Sequence, residues 1–104
     1  HLHGEDADPE LIADYPVEVL SWSDTSSAPT IPEATSRYGW VPMVGIDELT
    51  SLYWTPSEAV AHVIQARRAA GDRLIVAPNC TLHSDINPLT LVGLRRGVDV
   101  ALTY

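Results

Sequence analysis

Three times in this chain a side-chain acceptor stands directly before a proline: Asp8-Pro9, Thr55-Pro56 and Asn87-Pro88. An acceptor at the N-cap satisfies a backbone donor left open at a helix start. Proline at the first helical position gives up an N–H that has no partner there anyway. Thr30 with Glu33, and Thr55 with Glu58, add capping-box spacing, in which each member satisfies the other's backbone donor. The pattern predicts helices starting near residues 9, 31, 56 and 88. The third carries the clearest apolar stripe, Val60, Val63 and Ile64, with Gly71 placed to close it. Arg67 continues that stripe, its aliphatic stem covering apolar surface. Its charge, like that of Arg68, sits near the helix carboxyl end, where the dipole favours a cation.

Short β-branched stretches separate these helices: VEVLSW (17–22), VPMVGI (41–46) and RLIVAP (73–78). They are nearly continuous in hydrophobicity rather than alternating, as strands buried on both faces of a parallel sheet are. Helix and strand therefore alternate along the whole chain, which predicts an α/β fold of βα units with right-handed crossovers. GVDVALTY (97–104) suits either the end of the last helix or a further strand, and is read as helix. The polar stretch SWSDTSSAPT (21–30) falls where a loop should leave the first strand.

With 104 residues and 45% hydrophobic content, one domain with a modest core is expected. Fourteen acidic against six basic residues give a formal charge of −8, which repels nucleic acid and anionic membrane surfaces, so neither is an expected partner. A lone cysteine cannot form an intrachain disulfide, and no apolar run reaches the length of a membrane span; the expectation is a reducing, soluble compartment, the cytoplasm. The chain starts at His1 rather than methionine and reads as the middle of something longer.

In a parallel α/β architecture the loops at the carboxyl ends of the strands share one face, where function collects. Trp22 and Asp24 follow the first strand, Asp47 and Glu48 the second, and Asn79, Cys80, His83 and Asp85 the third. If His1 and His3 end a further strand they join this rim, with both rings on one side of an extended segment. Two imidazoles and one thiolate supply three ligands to Zn²⁺ and leave a fourth position open, as in catalytic rather than structural zinc sites. Other readings stand beside this one. Free cysteine is commonly a small buried hydrophobe, residues 1 to 3 can be a loose terminus, and a free amine with His3 suits Cu²⁺. Asp24, Asp47 and Glu48 are candidate base or substrate positions. His62 is expected on the surface of its helix, and Trp40 and Trp54 in the packing. Neither a phosphate-binding glycine motif nor a Gly-x-Ser-x-Gly elbow occurs.

Four stretches in this order resemble the uroporphyrinogen decarboxylase superfamily, whose members are (β/α)₈ barrels and include zinc-dependent, corrinoid-linked methyltransferases. HLHGED resembles its His-x-Cys-Gly stretch, VEVLSW its Leu-Asp-Trp strand, VPMVGIDE its Gln-Gly-Asn-Leu-Asp strand, and APNCTLHSDINP its last strand and the turn into the final helix. The likeness covers nearly all of residues 1–104 and implies the carboxyl-terminal part of a TIM barrel. A whole barrel takes about 250 residues, so this chain supplies about half, to be completed by the missing half or a second copy.

In the decarboxylases the position matching Cys80 resembles a histidine in Asn-Leu-Gly-His-Gly. The methyltransferases carry a zinc-binding cysteine there, so Cys80 points to that branch. That branch usually pairs it with His-x-Cys, where this chain has His3. Two thiolates and an imidazole neutralise Zn²⁺, whereas one thiolate and two imidazoles leave +1, which favours deprotonation of an incoming thiol.

The resemblance thus implies zinc on His1, His3 and Cys80, and transfer of a methyl group from a corrinoid to a zinc-activated thiol. A corrinoid protein and a small-molecule substrate would be the partners. Asp24 and Asp47 are the expected catalytic carboxylates, and Trp22, Glu48 and His83 the expected substrate contacts. The alternatives are a decarboxylase-like lyase of tetrapyrrole biosynthesis and an inactive fragment.

Overall fold

The structure, a computed structural model, describes residues 1–103. The chain forms an α/β domain around a three-stranded parallel sheet in the order β1 (Val19–Leu20), β2 (Val41–Ile46), β3 (Ile75–Pro78). Val19 is paired with Val41, and Met43 with Ile75, which fixes both registers. Helices α1 (Ile31–Ser36), α2 (Pro56–Ala70) and α3 (Pro88–Ala101) alternate with the strands, and 3₁₀ turns occupy Pro9–Ile12 and Ser51–Tyr53. Sheet and helices are consistent with part of a barrel.

The helix starts are made by the expected caps. Thr30 and Thr55 accept from the backbone of Glu33 and Glu58, and Asn87 accepts from Leu89. Asp8 caps in the same way, accepting from Glu10, but the segment it caps is a single 3₁₀ turn rather than an α-helix. A cap and a proline start a helix; continuation needs an apolar stripe to pack, and only Pro9 of this turn is buried. The last helix runs to Ala101, so GVDVALTY is helical through that residue, while Tyr104 lies outside the described residues. The first strand pairs over two residues only, shorter than VEVLSW suggests.

Alternation along the strands separates two sheet faces. Leu20, Val44 and Ile46 point toward the helices and are almost fully buried, as is Trp22 beyond the end of β1. Leu20, Val44 and Trp22 pack with Ile31, Ala34, Trp40 and Ala66; Ile46 joins Trp54, Ala59, Val63 and Ala101. On the other face Val19 and Ile75 remain 41% and 45% exposed. Helices therefore cover one side of a parallel sheet whose residues suit cover on both.

Helix α3 approaches α2 through its small residues Gly93, Gly97 and Ala101, and buried Thr90 donates to Trp54 O at 2.8 Å. A Cβ on Gly93 would stand 2.6 Å from the Pro56 carbonyl oxygen, and one on Gly97 2.9 Å from Val63 Cβ. Gly93→Ala gains about 1 kcal/mol of helix propensity but must push two backbones apart, an overpacking cost of about 1–3 kcal/mol. The expected outcome is a net loss of stability, measured as a lower urea midpoint at unchanged slope. An unchanged or higher midpoint would mean that the helices are not held at this spacing.

Candidate metal centre

The segment before Gly4 runs beside the outflow of β1. Leu2 N–H donates to Ser21 O at 2.9 Å, and the Leu2 side chain packs on the core. With Leu2 turned inward, His1 and His3 are left on the opposite, exposed side. Their ring centroids are 6.1 Å apart. His1 Nδ1 lies 3.0 Å from Ser21 Oγ, which orients the ring.

Cys80 reaches the same place from the far end of the sequence. Asn79 N–H donates to Ile46 O at 2.8 Å, so the pairing of β3 with β2 extends through Asn79. The Asn79 side chain turns inward and is fully buried, and Cys80, the next residue, faces the rim. Asn79 Oδ1 also accepts from Gly45 N–H at 3.0 Å. Gly45 has φ +118°, outside the normal range for residues with a side chain, and this turns its amide toward Asn79.

One potential ligand atom from each of His1, His3 and Cys80 lies within 4.8 Å of the other two. Cys80 Sγ and His3 Nδ1 are 3.5 Å apart. A tetrahedral zinc with Zn–S of about 2.3 Å and Zn–N of about 2.0–2.1 Å has an S···N edge of about 3.5 Å. The donor set thus fits Zn²⁺ in chemistry and in this spacing. A cavity of about 290 Å³ adjoins His3 and Cys80, and Glu5, Ser23 and Glu48 are among its other walls. Ser23 Oγ donates to the Glu48 carboxylate at 3.0 and 3.3 Å and fixes it there.

Of the residues expected at the site, His1, His3, Cys80 and Glu48 come together. The others are placed elsewhere. Trp22 is fully buried against α1, its indole N–H donating to Pro29 O at 2.8 Å, so it supports the rim from beneath. Asp47 spends its carboxylate on the turn after β2, accepting from Leu49 N–H at 2.9 Å and from Thr50 Oγ1 at 3.0 Å. His83 is half exposed and accepts from Asp85 N–H at 3.1 Å, a local turn contact. His62 is half-buried, because it stacks on Trp54 at 3.7 Å between ring centroids, while Trp54 and Trp40 are buried as expected.

Asp24 lies on a neighbouring cavity of about 250 Å³ with Gly45 and His62. Its Oδ1 and Asn79 Nδ2 are both buried without a hydrogen-bond partner. Burial pushes the Asp24 carboxyl above its ordinary value. The Asn79 amide pulls the other way without closing a bond of normal geometry, and the charges of Asp47 and Glu48 push it up further.

A carboxyl whose folded-state value is raised stabilises the fold in acid and loses that contribution as pH rises through the raised value. Asp24→Asn is therefore expected to melt higher than the wild type at neutral pH, the two converging below the ordinary carboxylate range. Thermal melts across pH check this, and a variant that melts lower at neutral pH would contradict it.

Ser21, Ser23 and Glu5 were not singled out from the sequence, and for the two serines a signal existed. They flank Trp22 at period two, so burying the tryptophan turns both hydroxyls to the rim, one to His1 and one to Glu48.

The chain is an α/β domain with a candidate three-ligand metal centre at the carboxyl ends of its strands. No family model, curated protein or solved structure matches it.

Proposed function

We propose that this chain is the carboxyl-terminal part of a zinc-dependent methyltransferase resembling those of the uroporphyrinogen decarboxylase superfamily. The convergence of His1, His3 and Cys80 carries this reading. The chemistry assigned is transfer of a methyl group from a methylated corrinoid to the sulfur of a thiol. The carbon–sulfur bond forms as the carbon–cobalt bond breaks, and its electron pair stays on cobalt.

Zinc at this position supplies the positive charge that lets an incoming thiol shed its proton near neutral pH. The chain's own residues do the rest. Cys80 and the two imidazoles would hold the ion, and Ser21 fixes the angle of His1, as outer partners of metal ligands do. Ser23 holds Glu48 at the cavity beside His3 and Cys80. Trp22 carries both serines on a rigid base. The open sheet face calls for further strands of a barrel, which the rest of such an enzyme would supply.

The lyase alternative has less support, because a rim bearing Glu5 and Glu48 opposes a polycarboxylate tetrapyrrole. Metal analysis and an assay of methyl transfer from methylcobalamin to a thiol test the proposal together. About one zinc per chain with methylated thiol as product is expected; metal-free native protein would overturn it.

A further inference from the structure

We infer that the thiol taken up beside the candidate metal centre carries a positive charge, the cavity wall formed by Glu48 and Glu5 selecting a cationic over an anionic thiol. This rests on the proposed metal centre and names the class of substrate that it takes. The cavity of about 290 Å³ opens beside His3 and Cys80, and among its lining residues are two carboxylates and no lysine or arginine. Glu48 is held by a neutral donor, the Ser23 hydroxyl, rather than by a cation. No ion pair among the described residues engages Glu48 or Glu5. Both charges thus face the cavity without a neutralising side chain.

The wider charge distribution acts in the same direction. Arg37 follows α1, Arg67 and Arg68 end α2, and Arg73 precedes β3, all at the pole where the strands begin. Arg95 and Arg96 lie midway along α3. The pole where the strands end carries Asp24, Asp47 and Glu48, with Glu5 beside them, so its field attracts cations and repels anions. A thiol with a quaternary or protonated amine would place its sulfur at the ion and its charge against Glu48. A thiol with a sulfonate or carboxylate would bring an anion to the same wall.

The test uses three thiols with the same two-carbon spacer: thiocholine, 2-mercaptoethanol and 2-mercaptoethanesulfonate. The quaternary amine of thiocholine cannot chelate, so metal affinity comes from sulfur alone. The full-length protein is loaded with Co²⁺ in place of zinc, and binding is read from the sulfur-to-cobalt charge-transfer band.

Thiocholine should bind at least about tenfold more tightly than 2-mercaptoethanesulfonate at low salt, and the ratio should shrink as ionic strength rises. Glu48→Gln should cut that ratio several-fold, with cobalt content measured alongside to show that the metal site is intact. Glu5→Gln, at an exposed position where folding is not at stake, should cut it in the same direction. An anionic thiol that binds as well as the cation, or a ratio that neither variant nor salt moves, would overturn the inference while leaving the metal centre standing. Protein that takes up no cobalt, or a band that no thiol perturbs, would overturn the metal reading itself.

Discussion

Cys80→Ala should leave the protein folded and without zinc. The side chain is partly exposed at the rim and belongs to neither apolar core, so its removal opens no internal cavity. In the proposed site the loss would fall instead on the ion, because two imidazoles alone would remain and the single anionic ligand would be gone. Loss of an outer partner typically costs about 10–100-fold in metal affinity, and loss of a direct thiolate ligand should exceed that range. Metal content after exchange into metal-free buffer should fall from about one zinc per chain to near zero, with the thermal melt of the metal-free proteins unchanged. Retention of zinc by the variant would place the site elsewhere. Ser21→Ala should show the smaller loss expected of a residue that only orients His1.

Trp22→Ala is expected to have the largest effect on stability. The side chain is fully buried between Leu20, Ile31, Ala34 and Trp40, and its N–H satisfies the Pro29 carbonyl. Removing a core tryptophan costs about 3–5 kcal/mol, a large share of the 5–15 kcal/mol that holds a typical domain together. Trp22→Phe keeps much of the volume but leaves the Pro29 oxygen unpaired, for a loss of about 1–3 kcal/mol. The order wild type, phenylalanine, alanine in denaturant midpoint checks this. Near-wild-type stability of the alanine variant, with weakened substrate binding, would instead restore Trp22 to the role of a substrate contact.

Trp22 and Asp47 mark where sequence reasoning stopped. Trp22 follows a strand at the rim, and position alone suggested a contact with substrate. Its neighbours Leu20 and Val44 show why it is core: period-two alternation places it with them, on the helix side of the sheet. Asp47 followed the same positional logic, yet a carboxylate two and three residues before a free N–H and a hydroxyl closes its own turn first. Strand-end position identifies the loop that carries function, while the local hydrogen bonds available to each side chain decide which residue in that loop is spare.

The helix starts at Thr30, Thr55 and Asn87 and the parallel βα order were legible in the chain, because caps, prolines and apolar periods act over a few residues; the end of α3 at Ala101 was not, since residues 97–104 suit a strand as well as a helix. The meeting of His3 with Cys80, 77 positions apart, was decided by tertiary structure. It depends on Leu2 docking beside Ser21 and on Asn79 extending the pairing of β3 with β2. No local rule encodes those two contacts; they form only when burial of the sheet's helix-side face fixes where each strand ends.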